Sequence, residues 1–258
     1  MALRASGFRH RESGVPAPRV ASSGTASREF RHRESGVPAP RVGSFARSRA
    51  GHCSRMTEPA ADAPSVTDLD RLREVEADCT GCELYKAAGP TVGGEGPRSA
   101  WLMLVGEQPG DQEDKAGKPF VGPAGRVLDQ ALDEAGIARD EVFVTNAVKH
   151  FRFEERGKRR IHKQPTVRQV RACRPWLDAE LRLVGPPVVG VLGAVAAKSL
   201  LGQDFRITDH RGELLEQDGR TVVPTVHPSS ILRSDPKERQ ELLAAFVADL
   251  KVIAGARP

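Results

Sequence analysis

A single histidine stands inside a strongly basic run, Gly157-Lys158-Arg159-Arg160-Ile161-His162-Lys163, ahead of a helix-like segment from Thr166. Between Lys149 and Arg174 there are 10 basic residues against only Glu154 and Glu155. Charge this concentrated reads as a basic loop that docks on a phosphate backbone; a solvated charged face is the plainer alternative. A neutral imidazole is also a nucleophile toward an electron-deficient carbon, so His162 is placed to do chemistry on what it docks. Three other segments carry reactive types: Gly106-Glu107-Gln108-Pro109-Gly110-Asp111, Asn146 to His150, and His227-Pro228-Ser229-Ser230. The first should be a turn crowded with backbone N–H groups, suited to stabilising negative charge as it develops. An asparagine both donates and accepts. The histidine at 227 is fixed by the proline that follows, and its serines offer donors to a phosphate. Taken singly, each has a bland reading: a tight turn with solvated acids, a cap, a loop histidine.

Hydrophobic spacing says which elements position these groups. Helical periodicity covers Asp68 to Asp78, Gly125 to Ala135, Thr166 to Val184 (with Pro175 expected to interrupt it), Ala194 to Leu201 and about Pro236 to Ile253. Short apolar runs at Trp101 to Val105, Glu141 to Thr145, Val188 to Leu192 and Val222 to Val226 read as strands, with Asp218-Gly219 as a hairpin turn. Such alternation predicts a three-layer α/β/α sandwich around a mainly parallel sheet. Ligands of such folds sit at the carboxyl ends of the strands. The polar segments follow three of the four runs; after Leu192, Gly193-Ala194 offers no polar group.

The net charge of +5 over 258 residues conceals an asymmetry. Residues 1–55 hold 11 Arg and three Glu, while 56–258 carry 28 basic and 31 acidic residues. The thirteen letters FRHRESGVPAPRV occur at 8–20 and again at 30–42. Two Arg- and Pro-rich copies can neither bury a core nor build a solenoid. Residues 1–55 are therefore expected to be a disordered or mis-assigned extension, with translation starting at Met56; a basic arm adding DNA affinity is the competing reading. Residues 56–67 read as a flexible leader and 68–258 as the folded domain. No apolar run is long enough to span a bilayer, and a cytoplasmic protein is expected.

In order, GEQPGDQED (106–114), KPFVGPAG (118–125), VTNAVKH (144–150), CRPWL (173–177) and HPSS (227–230) resemble the uracil-DNA glycosylase superfamily, specifically its iron–sulfur type-4 group. The resemblance covers roughly Asp68 to the C-terminus. The insertion KRRIHK, 158–163, resembles the UdgX branch, whose members stay covalently bound to DNA after removing uracil.

The resemblance implies base contacts from Gln108 and Asp111, with Asp114 supporting. Phe120 would stack on the flipped base, typically worth ~1–3 kcal/mol. Asn146 would read the uracil edge, and His227 would donate to uracil O2. Glu107 would orient His162 or a water. Arg159, Arg160, Lys163, Ser229 and Ser230 would grip phosphates, and the like charge around His162 would keep it neutral. His162 itself would attack C1′. Two alternatives remain: a conventional turnover enzyme using water, and a non-catalytic uracil-DNA reader. Cys79-Thr80-Gly81-Cys82 is a CxxC, and with Cys173 it leaves a cluster one thiol short. Type-4 members place a cysteine where this chain has His150. The implied cofactor is a [4Fe–4S] cluster on Cys79, Cys82, His150 and Cys173. Zinc on the same Cys3His set is the alternative, and a Cys79–Cys82 disulfide the third option. The implied partner is uracil-containing DNA, single strands included, bound by a monomer with no membrane contact.

Overall fold

Three five-residue strands, β1 (Leu102–Gly106), β2 (Val142–Asn146) and β5 (Val188–Leu192), are buried along their whole length. Strands buried on both faces belong to a parallel sheet covered on each side. The computed structural model describes residues 66–258. Its main sheet has the order β2-β1-β5-β7-β6, with β6 at Leu215–Gln217 and β7 at Arg220–Thr225. All neighbours are parallel except the β6–β7 hairpin. The duplicated segment and the expected start at Met56 lie outside the described residues.

Alternation along β1 sends Met103 and Val105 to one face, Leu102 and Leu104 to the other. The first face packs on α1 (Leu69–Ala77), α4 (Val167–Val184) and α5 (Ala194–Leu201) through Leu72, Trp176, Leu177 and Ala197. The second packs on α3 (Pro123–Glu134), α7 (Pro228–Arg233) and α8 (Arg239–Gly255) through Leu128, Leu132, Ile231, Phe246 and Leu250. The expected three-layer α/β/α sandwich is what forms. Two short helices, α2 (Asp111–Ala116) and α6 (Ile207–His210), complete the set.

Two local expectations change. Pro175 lies inside α4 without breaking it. A proline removes one backbone donor, but buried Cys173, Trp176 and Leu177 on either side hold the helix as one piece. The basic run is also not a loop. It forms an antiparallel hairpin, β3 (Phe153–Arg156) with β4 (Arg159–His162), turning at Gly157, whose φ is +61°. Its residues are largely exposed, so it has no apolar alternation by which to announce a strand. The Asp218-Gly219 turn forms as expected, with both residues at positive φ, 52° and 74°.

Candidate active site

The site assembles where β1, β2 and β7 end. Pairing continues past the strands: Ala147 N donates to Gly106 O at 2.9 Å and Val148 N to Glu107 O at 3.0 Å. This locks Asn146 beside Glu107. Behind Asn146, wholly buried Lys149 donates to Thr145 Oγ1 (2.6 Å) and Glu180 Oε2 (2.7 Å), while Glu180 Oε1 accepts from Gly94 N. Burial alone would push Lys149 down, but Glu180 and Glu76 outweigh it and keep the ammonium charged. The segment 145–149 is thereby pinned at both ends, with Asn146 buried between them.

Gly106 has no room for a side chain. A Cβ there would lie 2.3 Å from Asn146 Oδ1 and 2.8 Å from Phe120 Cζ. Phe120 is buried, takes φ +57°, and lays its ring 6.3 Å from the His227 ring at 25°. Its carbonyl presses on Gly125, where a Cβ would approach within 1.7 Å. Glu113 braces this loop by accepting from Gly110 N and Gly122 N. Gly193, silent in the sequence, gives His227 its space: a Cβ there would sit 3.0 Å from His227 Cβ.

His227 caps α7. Its Nδ1 accepts from Ser229 N at 3.1 Å. Burial, aided by Arg233 and His162, depresses its pKa to about 4, so the ring is neutral near pH 7. A neutral ring that accepts at Nδ1 carries its proton on Nε2. That Nε2 is buried and has no partner, so a donor is held ready for a ligand atom.

His162 comes in from β4, its Nε2 3.4 Å from Glu107 Oε1 and its ring 6.0 Å from Phe151. Burial and then Arg233 lower its pKa; the neighbouring basic run, expected to be the cause, is not. Glu107 is pushed up to about 7 by burial, against Arg233, and its Oε1 is buried without a hydrogen bond. His162 approaches Glu107 at 3.4 Å without a hydrogen bond between them.

Several expected ligand contacts are spent inside the protein. Gln108 Nε2 donates to Arg152 O and Lys163 O, and its Oε1 accepts from Arg152 N. It therefore fastens the foot of the hairpin. Arg160 pairs with Asp111 and Asp114 at 2.6 Å each and lies over the rings of Phe151 and Phe153. Its guanidinium is thus turned onto the body, and Asp111 is engaged by Arg160 and Lys115. Lys163 pairs with Glu154 at 2.5 Å. Ser229 Oγ meets His227 Nδ1 (2.8 Å) and Arg233 (3.0 Å), while exposed Ser230 donates to His227 O. Both serines shape the turn. Arg233 and Glu113 were not singled out from sequence. Arg233 acts electrostatically on Glu107, His162 and His227, and its spacing of i+4 from Ser229 on a helix was the available signal.

Cys79, Cys82 and Cys173 are free. Cys173 and Cys82 are hydrogen-bonded, which lowers the Cys82 thiol to about 7 and raises Cys173. Trp176 Nε1 donates to Cys79 Sγ at 3.1 Å, and Lys149 N to Cys173 Sγ at 3.5 Å. His150 Nε2 meets Thr91 Oγ1 at 3.2 Å, leaving its buried Nδ1 without a partner. Among the described residues no group of three or more His, Cys, Asp and Glu side chains is gathered as a metal site.

Comparison with known proteins agrees with this architecture. Residues 94–251 match the uracil DNA glycosylase superfamily. The type-4 uracil-DNA glycosylase of Thermotoga maritima is 36% identical over 185 residues, covering 71% of this chain and 93% of the relative. That of Pyrobaculum aerophilum is 33% identical over 196 residues, covering 73% and 94%. A type-5 uracil-DNA glycosylase of the same organism is 29% identical over 178 residues, covering 62% and 75%. With its parallel sheet, its strand-end site and these matches, the chain belongs to the uracil DNA glycosylase superfamily.

Proposed function

We propose that this protein excises uracil from DNA and is then captured on the abasic sugar through His162, as in the UdgX branch that its hairpin resembles. Excision is supported by the strand-end pocket. Phe120 offers a stacking face, Asn146 a buried amide at the strand end, and His227 a neutral Nε2–H donor with no protein partner. As the C1′–N1 bond breaks, its electron pair leaves with the base, and a fixed donor stabilises that charge.

Capture rests on one observation: a second, uncharged imidazole reaches this pocket from the hairpin and meets Glu107 at 3.4 Å. The sugar left behind is electron-deficient at C1′. A lone pair of His162 forms the new N–C1′ bond, and the ring becomes an imidazolium balanced by the Glu107 carboxylate. The departed uracil anion takes a proton from solvent. Extruded or single-stranded uracil is the favoured substrate because less stacking must be undone.

The CxxC thiols, Cys173 and His150 are the proposed ligands of a [4Fe–4S] cluster. The donor chemistry fits: three free thiols, and a histidine whose Nε2 is engaged by Thr91 while Nδ1 is left open. Bound there, the group would tie α1 to α4. Iron with acid-labile sulfide in the purified protein is the expected analysis; stoichiometric zinc without iron would contradict it.

The reaction is tested by mixing the protein with a labelled uracil oligonucleotide, assaying free uracil, and running the mixture on hot SDS gels. A shifted band with one uracil released per adduct is expected, and His162→Ala should release uracil with no band. A band that persists in His162→Ala would refute the role of His162. Absence of uracil release by the native protein would refute excision.

A further inference from the structure

Resting on the reading of His162 as captor, the geometry points to Asp114 as the positioning residue that seats it. The Gly157 turn fixes pairing within the hairpin, matching Phe153 with His162, Glu154 with Ile161 and Glu155 with Arg160. What the turn does not fix is which face of the hairpin looks onto the body. Alternation puts Arg160 and His162 on one face and Arg159 and Ile161 on the other. A seat with the opposite face inward would present Ile161 where His162 now meets Glu107. Hydrophobicity gives this choice one contact: the strands are mostly exposed, and Phe153, opposite His162, stacks on buried Phe151 at 5.2 Å.

Arg160 adds a charged lock on the same face. Its Nη1 donates to Asp114 Oδ2 at 2.6 Å and its Nε to Asp111 Oδ1 at 2.6 Å, with Phe151 and Phe153 beneath the guanidinium. Buried ion pairs are best attested as devices that specify register and orientation rather than as net stabilisers. Asp111 is partly exposed and shared with Lys115; Asp114 is wholly buried. The same Asp114 carboxylate accepts from Gly89 N, at 2.9 Å to Oδ1 and 3.1 Å to Oδ2. Gly89 lies in the strap that follows the CxxC thiols, and a Cβ there would come within 2.4 Å of Asp114 O and 3.1 Å of its Oδ2. One carboxylate thus joins the thiol strap to the nucleophile's hairpin. Disturbing the strap should misplace His162, although Gly89 belongs to no element of the pocket.

The test compares native protein, Asp114→Asn, Gly89→Ala and a core control, Leu250→Ala, by adduct formed per uracil released. Hydrogen exchange of the Ile161 to Lys163 amides is the second readout. Misplacing a reacting group by about 1 Å costs on the order of a hundredfold. Adduct per uracil should therefore fall by about that factor in Asp114→Asn and Gly89→Ala, with uracil release read in the same samples. Hairpin exchange should speed up in both. Leu250→Ala should leave both readouts at native values. An unchanged adduct ratio with unchanged hairpin exchange in the two variants would overturn the proposal, as would an equal fall in the core control. If the native protein forms no adduct, the capture reading fails by itself, and the exchange readout still decides whether Asp114 seats the hairpin.

Discussion

The pocket floor and the β3–β4 hairpin are built on opposite principles. Gly106, Asn146, Phe120 and His227 sit on strand ends and loops so tightly packed that a single Cβ at Gly106 or Gly193 would collide. The hairpin touches the body through polar contacts: the Gln108 amide at its foot, the Arg160 ion pairs at its middle, and Glu107 opposite His162. Close packing makes a shape that cannot drift, and a polar fastening can be lost piece by piece. The difference teaches that excision and the proposed capture would reside in separable parts, the first in the core and the second on the hairpin.

The most damaging break should be in the floor. Gly106→Ala puts a methyl 2.3 Å from Asn146 Oδ1 and 2.8 Å from Phe120. Loss of both uracil release and adduct, by roughly a hundredfold or more, is expected from displacing groups that must be held to a fraction of an ångström. Near-native uracil release by that variant, measured as free base, would show that the floor is softer than its contacts indicate.

A subtler break separates the two parts by pH. Glu107 has its pKa raised to about 7 by burial, whereas His162 is lowered and already neutral there. Capture draws on the charged carboxylate, so its rate should rise with pH through about 7, as Glu107 loses its proton. His227, at about 4, is neutral throughout that window, so excision should not share the step. In Glu107→Gln the capture rate should be lower and flat across it. Rapid-quench sampling from pH 5.5 to 8.5 on denaturing gels checks this; a flat native profile would remove Glu107 from the capture step.

How much of this was legible in the chain follows the same division. Strands β1, β2 and β5 announced themselves because each is apolar throughout, and α5 because Gly193 and Gly202 bracket it. Placing ligands at strand ends then gathered Glu107, Asn146 and His227 correctly. The hairpin did not show, because alternation of Arg, Ile, His and Lys carries no apolar signal; it took tertiary contacts with Phe151, Asp111 and Asp114 to make those residues a strand. The same blindness hid the protein contacts of Gln108 and Arg160. A glutamine or arginine next to a reactive residue has the chemistry to bind ligand, and only the fold reveals that backbone carbonyls and buried carboxylates have already claimed it. Arg233 was overlooked for the converse reason, since its influence is through space on three groups far apart in sequence.

The measurement that bears most directly on self-capture is mass mapping of the native protein after reaction with a uracil oligonucleotide. Following nuclease and protease digestion, the account predicts a deoxyribose-derived mass on the peptide that contains His162, with fragment ions placing it on that imidazole. A digest in which that peptide is unmodified, or in which the sugar is attached to any other residue, would contradict it.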